Sequence, residues 1–227
     1  MHESGKLSIV ATPIGNLEDV TLRALRTLKE ASVIYCEDTR VTKKLLDRYE
    51  LATPLRRLDA NTEMKGAGEV VRRLGAGERV AYCSDAGTPG VSDPGYRLVA
   101  AVREAGYTVE AIPGPSALTT ALSIAGVPAD SFTFLGFLPH KKGRQTLLRE
   151  MASEPRAVVL YESPHRIERL LASLAELLPS DRQVAVCREL TKLHEQVVTG
   201  SARELYEACA TGRIPARGEF VVIVGSC

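Results

Sequence analysis

Three short segments rich in glycine and proline are candidates for ligand binding. They are residues 12–16 (TPIGN), 84–90 (SDAGTPG) and 113–117 (PGPSA), and each follows a run of β-branched residues typical of a strand. Glycine lets the backbone approach a ligand closely, and ligands in open α/β sheets bind at the carboxyl ends of strands. Any one segment alone is as readily explained as a tight turn. The three together favour a ligand site.

Asp85 is the one acidic residue within these segments. Its carboxylate is suited to accept hydrogen bonds from a ligand amine or ribose, although aspartate in a turn also binds its own backbone. The common nucleotide signatures are missing from the chain: no GxGxxG opens a helix after the first strand, and there is no GxxxxGK[ST]. This disfavours a Rossmann dehydrogenase and a P-loop ATPase.

The segments that must position these loops alternate β-branched runs with helical patterns, from LSIVAT through LEDVTLRALRTLKEA to TVEAIP. Such alternation requires crossover connections and indicates a mostly parallel sheet covered on both faces. After residues 113–130 the strand spacing changes and the later links are short, which indicates a mixed sheet. We predict an α/β protein with two α/β domains, residues 1–114 and 115–227, that face each other across a cleft.

The composition is that of an ordinary globular protein, with 44% hydrophobic and 25% charged residues. Twenty-nine Lys and Arg against 28 Asp and Glu give no strong basic excess, so any contact with a nucleic acid must come from local patches. The five cysteines are odd in number and widely separated, which suggests neither a disulfide framework nor a metal site. We see no signal peptide and no run of the roughly 20 apolar residues that span a membrane, and we expect a cytoplasmic protein without membrane association.

Longer strings extend the glycine-rich segments along nearly the whole chain. They are TPIGNLEDVTLRAL (12–25), CEDTRVTKKLL (36–46), SDAGTPGVSDPG (84–95), IPGPSA (112–117), GFLPHKKGR (136–144), YESPHR (161–166) and CRELTKLHE (187–195). In order and spacing they resemble the bacterial 16S ribosomal RNA (cytidine-2′-O)-methyltransferases of the tetrapyrrole-methylase superfamily. Ordered strings of this length are far more specific than a glycine pattern.

The resemblance implies a class III methyltransferase-like fold, S-adenosyl-L-methionine as the cofactor in the cleft, and a homodimer. It also implies that the substrate is 16S rRNA in the small ribosomal subunit. Three of the superfamily's cofactor loops coincide with the glycine-rich segments. Carried over residue by residue, the cofactor-binding positions are Pro13, Ile14, Asp85, Ala86, Gly87, Thr88, Ser116, Ala117, Tyr161, Glu162, Leu190 and Thr191.

A ribose 2′-hydroxyl is a poor nucleophile, so a nearby base, or a cation that stabilises the developing alkoxide, would help its methylation. Our catalytic candidates are Glu162, His165 and Arg188, with Glu189, Lys192, Glu37 and Asp38 as further possibilities. Glu37 and Asp38 equally suit capping of the helix that follows them. Ser163 before Pro164 predicts an N-cap with proline at the first helical position, which would place His165 at a helix start that favours an anion. The alternative for His165 is a solvated surface residue.

The candidates for RNA contact are basic residues in three separate segments. With no Trp and 5% aromatic residues, the chain offers little base stacking, so we expect recognition through phosphates and the shape of the ribosomal particle. For the lysines after residue 40, the polar face of an amphipathic helix is an equal alternative. The candidates are Arg40, Lys43, Lys44, Lys141, Lys142, Arg144 and Arg166, with Arg169 beside them.

The chain departs from the family pattern in two places. Where members usually carry a His-x-His-Asn-Glu-like string, it reads LDANTE at residues 58–63, so no role of those histidines is transferred. Many members also extend beyond the last strand. If that extension binds the ribosome, we expect this protein to bind it through other residues. Two other functions remain open at this level: a small-molecule tetrapyrrole methylase, and a non-catalytic ribosome-assembly protein on the same fold.

Overall fold

The computed structural model describes residues 5–227. The chain divides into two compact units, Met1–Ser116 and Ala117–Cys227, and each unit is built on its own five-stranded sheet. None of the helices in the described residues combines the length and apolar character that crossing a lipid bilayer requires.

The N-terminal unit is a parallel sheet with strand order β3-β2-β4-β1-β5. This confirms the α/β class and the parallel sheet that alternation in the sequence predicts. A short 3₁₀ helix, Leu17–Asp19, precedes the first α-helix. The elements are β1 (Lys6–Val10), α1 (Leu22–Glu30), β2 (Val33–Cys36), α2 (Thr39–Arg48), β3 (Leu55–Arg57), α3 (Glu63–Gly75), β4 (Arg79–Cys83), α4 (Tyr96–Glu104) and β5 (Thr108–Ile112).

Helices cover both faces of this sheet because its central strands are apolar on both sides. Tyr35 of β2 packs with α3 and α4, whereas its neighbour Ile34 packs with α1 and α2. Successive residues of a strand point to opposite faces, so an unbroken apolar run such as VIYC must be buried twice. All four of its residues are buried.

The switch point of this sheet lies between β1 and β4, which are neighbours. From β1 the chain runs through α1 to β2, on the far side of β4; from β4 it runs through α4 to β5, on the far side of β1. The two connections therefore leave in opposite directions and open a crevice at the carboxyl ends of the strands. The first two glycine-rich segments begin at this point.

The C-terminal unit is a mixed sheet with strand order β6-β7-β10-β8-β9, as the sequence predicts. The first pair, β6 and β7, is parallel and the other three pairs are antiparallel. The elements are α5 (Ala117–Ile124), β6 (Phe132–Phe137), α6 (Arg144–Ser153), β7 (Ala157–Glu162), α7 (Ile167–Leu177), β8 (Gln183–Arg188), β9 (Gln196–Ser201), α8 (Ala202–Ala210) and β10 (Phe220–Val224).

The start of α7 differs from the prediction that Ser163 caps it with Pro164 at its first position. The helix begins at Ile167, and residues 164–166 form a turn. The Ser163 carbonyl accepts hydrogen bonds from the amides of Arg166 and Ile167 at 3.0 and 3.1 Å. The Ser163 amide is held in turn by the Glu162 carboxylate at 2.9 Å. The prediction was wrong: the N-cap of α7 is Arg166, and no side chain caps the helix.

Candidate functional site

The three glycine-rich segments meet at the crevice of the N-terminal sheet. Thr12 and Gly87 exchange two backbone hydrogen bonds of 2.9 and 3.0 Å and form an isolated antiparallel bridge. The Thr12 hydroxyl also donates to the carbonyl of Ser84 at 3.2 Å, and the Thr88 hydroxyl donates to the carbonyl of Pro115 at 3.1 Å. The structure therefore joins loops that follow β1, β4 and β5 into one surface.

Gly87 has to be glycine for two reasons. Its φ of 76° lies in the left-handed region, which other residues rarely adopt. A Cβ atom there would also lie 3.3 Å from Cγ2 of Ile14, closer than side chains usually pack. Pro13 and Ile14 are buried beneath this contact, whereas Ala86 is exposed and Thr88 is half-buried. Ser116 and Ala117 are half-buried where the third loop leads into α5.

Asp85 links the second loop to the end of β2. Its Oδ1 accepts a hydrogen bond from the Asp38 amide at 2.8 Å, and burial raises the pKa of its carboxyl group. Asp38 is the N-cap of α2, where its Oδ1 accepts from the Arg40 amide at 2.9 Å, so the capping interpretation of Asp38 is confirmed. The side-chain hydrogen bond from Arg40, followed by the bond from its amide, lowers the Asp38 pKa to about 2.

Two further carboxyl groups share this end of the sheet. Burial raises the pKa of Glu37, and the Asp85 charge adds to that effect. Burial also raises the pKa of Asp93 to about 6, against a hydrogen bond from Ser84 that lowers it, and Asp85 again adds to the rise. In residues 5–227 no three His, Cys, Asp or Glu side chains are grouped to hold a metal ion.

The candidate residues of the C-terminal unit lie at one edge of its sheet. Strands β7 and β8 both run antiparallel to β10, so their carboxyl ends point the same way, and β6 runs parallel to β7. Phe220, the first residue of β10, pairs with Glu162 on one side and with Arg188 on the other. Leu190 and Thr191 follow β8 at the same edge.

Glu162 is the centre of a buried ion cluster. One carboxylate oxygen lies 3.2 Å from a guanidinium nitrogen of Arg144, and the other accepts from Nε of Arg166 at 2.6 Å. Arg166 also donates to the Leu138 carbonyl at 2.9 Å. The side chains of Glu162, Arg144 and Arg166 are 0%, 4% and 16% exposed. We call these three residues the Glu162 clamp.

The Glu162 clamp bears on three expectations about individual residues. A carboxylate without exposed surface that is paired with two guanidinium groups is poorly placed to act as a catalytic base, so a catalytic role for Glu162 stays a prediction that this arrangement disfavours. Arg144 is buried and Arg166 is largely buried, and both are bound to Glu162, so neither presents its charge to RNA. The sequence could not reveal the pairing of Arg144 with Glu162, because Arg144 begins α6 and lies 18 residues before Glu162.

The remaining residues of the C-terminal edge differ in accessibility. Tyr161 is half-buried and packs edge-on against Phe134 and Phe137, with ring centroids 5.0 and 5.5 Å apart. Arg188 is 9% exposed, and its guanidinium donates to the carbonyls of Arg217 and His194. These hydrogen bonds hold the Arg188 guanidinium in place, and its catalytic role stays a prediction.

The loop after β8 has two residues in the left-handed region. Glu189 has a φ of 50°, and Thr191, with a φ of 66°, donates its amide to the Glu195 carboxylate at 2.6 Å. Lys192 forms ion pairs with Glu189 and Glu219 at 2.9 and 2.8 Å. Leu190 is buried. The backbone of this loop is thus fixed by its own carboxylates.

The exposed basic candidates fall into two groups. Lys141 and Lys142 lie in the loop after β6, and His165 lies exposed in the turn after β7, at the same sheet edge. Lys43 and Lys44 are exposed on α2 in the other unit, where Lys43 forms an ion pair with Asp47. Arg40, on the same helix, is bound to Asp38 while its side chain remains 87% exposed.

Sequence reasoning missed Glu63, which ends the segment that departs from the family pattern. Glu63 is 2% exposed, and its Oε1 accepts from the amides of Gly95 and Leu98, both at 3.0 Å. It therefore caps the start of α4, whose own N-cap residue, Gly95, has no side chain to do so. The one feature of the sequence that could have indicated this role is the lack of a capping side chain at Gly95, at the start of α4.

The fold and the joined loops define a class: a two-sheet α/β protein whose glycine-rich loops meet at the switch point of a parallel sheet. Within that class the chain belongs to the tetrapyrrole (corrin/porphyrin) methylases, whose family model matches residues 6–206. This confirms the resemblance drawn from the motifs at the level of the family.

The chain is similar over nearly its whole length to proteins named ribosomal RNA small subunit methyltransferase I. It is 46% identical to that of Xylella fastidiosa over 225 residues, which cover 99% of this chain and 82% of the relative. It is 46% identical to that of Thermotoga maritima over 200 residues, which cover 88% of this chain and 90% of the relative.

Solved structures of tetrapyrrole methylases share the fold. A cobalt precorrin-4 methyltransferase matches with a TM-score of 0.72 at 18% identity, covering 97% of this chain and 94% of the other. The uroporphyrin-III C-methyltransferase of Thermus thermophilus, complexed with S-adenosylhomocysteine, matches with a TM-score of 0.65 at 22% identity, covering 97% of both chains. The class III methyltransferase-like architecture is thereby confirmed.

Proposed function

We propose that this protein transfers a methyl group from S-adenosyl-L-methionine to the ribose 2′-hydroxyl of a cytidine in 16S rRNA of the small ribosomal subunit. The observation that carries the proposal is the identity of 46% over 99% of this chain with a ribosomal RNA small subunit methyltransferase I. The family strings that first suggested this substrate are part of the same similarity. The activity class agrees with membership of the methylase family.

The residues of the N-terminal loops fit the cofactor. The bridge between Thr12 and Gly87 joins the first two loops at the switch point, where Pro13 and Ile14 are buried apolar residues. Asp85 offers a carboxylate to an amine or a ribose hydroxyl. The sulfonium supplies an electrophilic methyl group, so the protein's part is to orient the groups and exclude water. In the other unit, Tyr161, Leu190 and Thr191 remain our proposed cofactor contacts.

The base that receives the proton of the 2′-hydroxyl is not identified by burial or charge. His165 is exposed at the sheet edge that carries the C-terminal cofactor candidates, and we retain it as a catalytic candidate together with Arg188. We further propose that Lys141 and Lys142, and Arg40 with Lys43 and Lys44, contact phosphates. A homodimer and a cytoplasmic location complete the proposal.

Calorimetric titration with S-adenosylmethionine tests the cofactor site. Asp85→Asn keeps the oxygen that accepts from the Asp38 amide and removes the charge, and we expect its affinity to fall by about tenfold. Asp181→Asn, at an exposed position in the other unit, serves as the matched control and should bind as the wild type does. Absence of binding by the wild type at millimolar cofactor would favour a non-catalytic assembly protein.

Methylation of small ribosomal subunits and of protein-free 16S rRNA with labelled cofactor tests the substrate. Mapping of the label to one cytidine ribose is the expected result. Label on a porphyrinoid, together with none on either RNA, would replace the proposal with a small-molecule methylase. The comparison of subunits with free rRNA also shows whether the enzyme recognises the assembled particle.

A further inference from the structure

A cavity of about 470 Å³ lies at the edge of the N-terminal sheet, and no residue of the glycine-rich loops lines it. Its floor includes Tyr35 of β2, and the edge strand β3 and helix α3 form its sides. Three of its lining residues are cationic: Arg56 and Arg57 on β3, and Lys65 on α3. One lining residue, Glu69, is acidic. None of these residues was a candidate in the sequence.

The cations are oriented by neighbouring carboxylates and still face solvent. Arg57 contacts the Asp59 carboxylate through Nη2 at 2.7 Å and remains 70% exposed, and Arg56 lies 3.7 Å from Glu69 and remains 55% exposed. Glu69 also binds Arg73, at 3.2 Å, so its charge is shared. A guanidinium has five N–H donors, so one partner leaves others for a ligand.

Lys65 differs from the two arginines, because it forms no ion pair within the described residues 5–227. It is exposed on the first half of α3, on the rim of the cavity. The charge of its ammonium group is therefore exposed to solvent and is not neutralised by a neighbouring carboxylate. The rim is therefore positive although the chain as a whole is nearly neutral.

The row of cations continues toward the candidate cofactor loops. Arg57 pairs with Cys36, the last residue of β2, and Asp38, two residues further along the chain, binds the Arg40 guanidinium. The Asp38 amide in turn donates to Asp85. Lys65, Arg56, Arg57 and Arg40 thus form a row along the edge of the sheet, here called the β3 strip, that ends beside Asp85.

We propose that the β3 strip binds the phosphodiester backbone of the RNA substrate and leads it to the methyl-transfer site, an inference that rests on the proposed function. Arginine and lysine contact phosphates without reading sequence. The aromatic residue of the cavity, Tyr35, is 1% exposed and offers no face for a base to stack on. The Glu69 carboxylate in the wall disfavours a small anion held inside, whereas a polymer can lie along the rim.

The test compares two double variants that lose the same charge. Arg57→Gln with Lys65→Gln removes two cations of the β3 strip. Arg26→Gln with Lys29→Gln removes two exposed cations from α1, which packs on the opposite face of the sheet. Filter binding of protein-free 16S rRNA is measured over a series of potassium chloride concentrations, and melting temperatures confirm that both variants are folded.

The strip variant should bind 16S rRNA about three- to tenfold more weakly, and the slope of log K against log salt should become shallower by about 1 to 2, as expected when two phosphate contacts are lost. The α1 variant should match the wild type. In methylation of small subunits, the strip variant should raise KM and leave kcat unchanged, because the residues bind substrate away from the reacting atoms.

Equal affinity and equal salt slope for the two double variants would overturn the proposal. Stabilisation of the wild type, but not of the strip variant, by free cytidine monophosphate would also overturn it, since a nucleotide would then be the occupant. Failure of the proposed function is a separate result: the wild type would transfer no methyl group to either RNA, whereas the binding measurement needs no methyl transfer.

Discussion

Replacement of Glu162 by glutamine should strongly destabilise the C-terminal unit. The substitution keeps the shape of the side chain and removes the negative charge that pairs with the guanidinium groups of Arg144 and Arg166. Removing one partner of a buried ion pair typically costs about 3–5 kcal/mol, because it leaves an uncompensated charge in the interior. Arg166 is partly exposed and the glutamine keeps one acceptor oxygen, so we expect a loss of about 2–4 kcal/mol in the free energy of unfolding.

Urea unfolding followed by far-UV circular dichroism measures this loss, since the chain contains no tryptophan to report by fluorescence. Glu168→Gln, the same change at an exposed position of α7, is the matched control and should lie within about 0.5 kcal/mol of the wild type. A second readout is local. The Glu162 clamp holds Leu138 and Arg144 at the two ends of the loop that carries Lys141 and Lys142. Trypsin should therefore cleave this loop faster in Glu162→Gln than in the control.

The double variant Glu162→Gln with Arg144→Met isolates the interaction between the two side chains. If the charges are coupled, the double variant should be more stable than the sum of the two single losses predicts, by about 1 kcal/mol or more. A Glu162→Gln variant as stable as Glu168→Gln, with the same rate of trypsin cleavage, would refute the reasoning.

Three further predictions concern the N-terminal unit. Burial raises the pKa of Asp93 to about 6, so ionisation of this group destabilises the folded state as the pH rises from about 4 to 6. Asp93→Asn should be more stable than the wild type by about 1–3 kcal/mol above pH 6 and equally stable below pH 4. Unfolding measured across this pH range tests the prediction. A constant difference at all pH values would exclude this origin. Gly87→Ala should lower the free energy of unfolding by about 1–3 kcal/mol, because residue 87 has a positive φ and a new Cβ would crowd Ile14. Gly68→Ala, at an open position in α3, is the control and should be neutral or stabilising. Equal melting temperatures for the two variants would contradict this. The buried hydroxyl of Tyr82 has no hydrogen-bond partner among the described residues, so Tyr82→Phe should keep or slightly raise the melting temperature, and a large loss would reveal a partner for the hydroxyl.

The resemblance to the methyltransferase family depended on the seven ordered sequence motifs, which can be read without a structure. The comparisons confirmed the family and the class of enzyme, whereas the individual cofactor, catalytic and RNA-contact residues stay predictions. The acidic LDANTE segment illustrates the limit: as a departure from the family pattern it carried no assigned role, and in the fold its Glu63 caps a distant helix.

What the sequence determined by itself was local. Apolar runs such as VIYC and the helical patterns between them predicted the strands, the parallel first sheet and the mixed second one, because the periodicity of burial is set by neighbouring residues. The glycine-rich segments were located for the same reason, since glycine reports the backbone conformation at its own position.

Only the tertiary structure decided which of these residues meet. The order of the strands places the loops after β1 and β4 side by side, so that Thr12 bridges Gly87. Folding buries Glu162 between Arg144 and Arg166, which the sequence analysis predicted to contact RNA. Whether a charge is exposed or neutralised depends on side chains brought from elsewhere in the chain, and this long-range packing is not encoded in the spacing of any one motif.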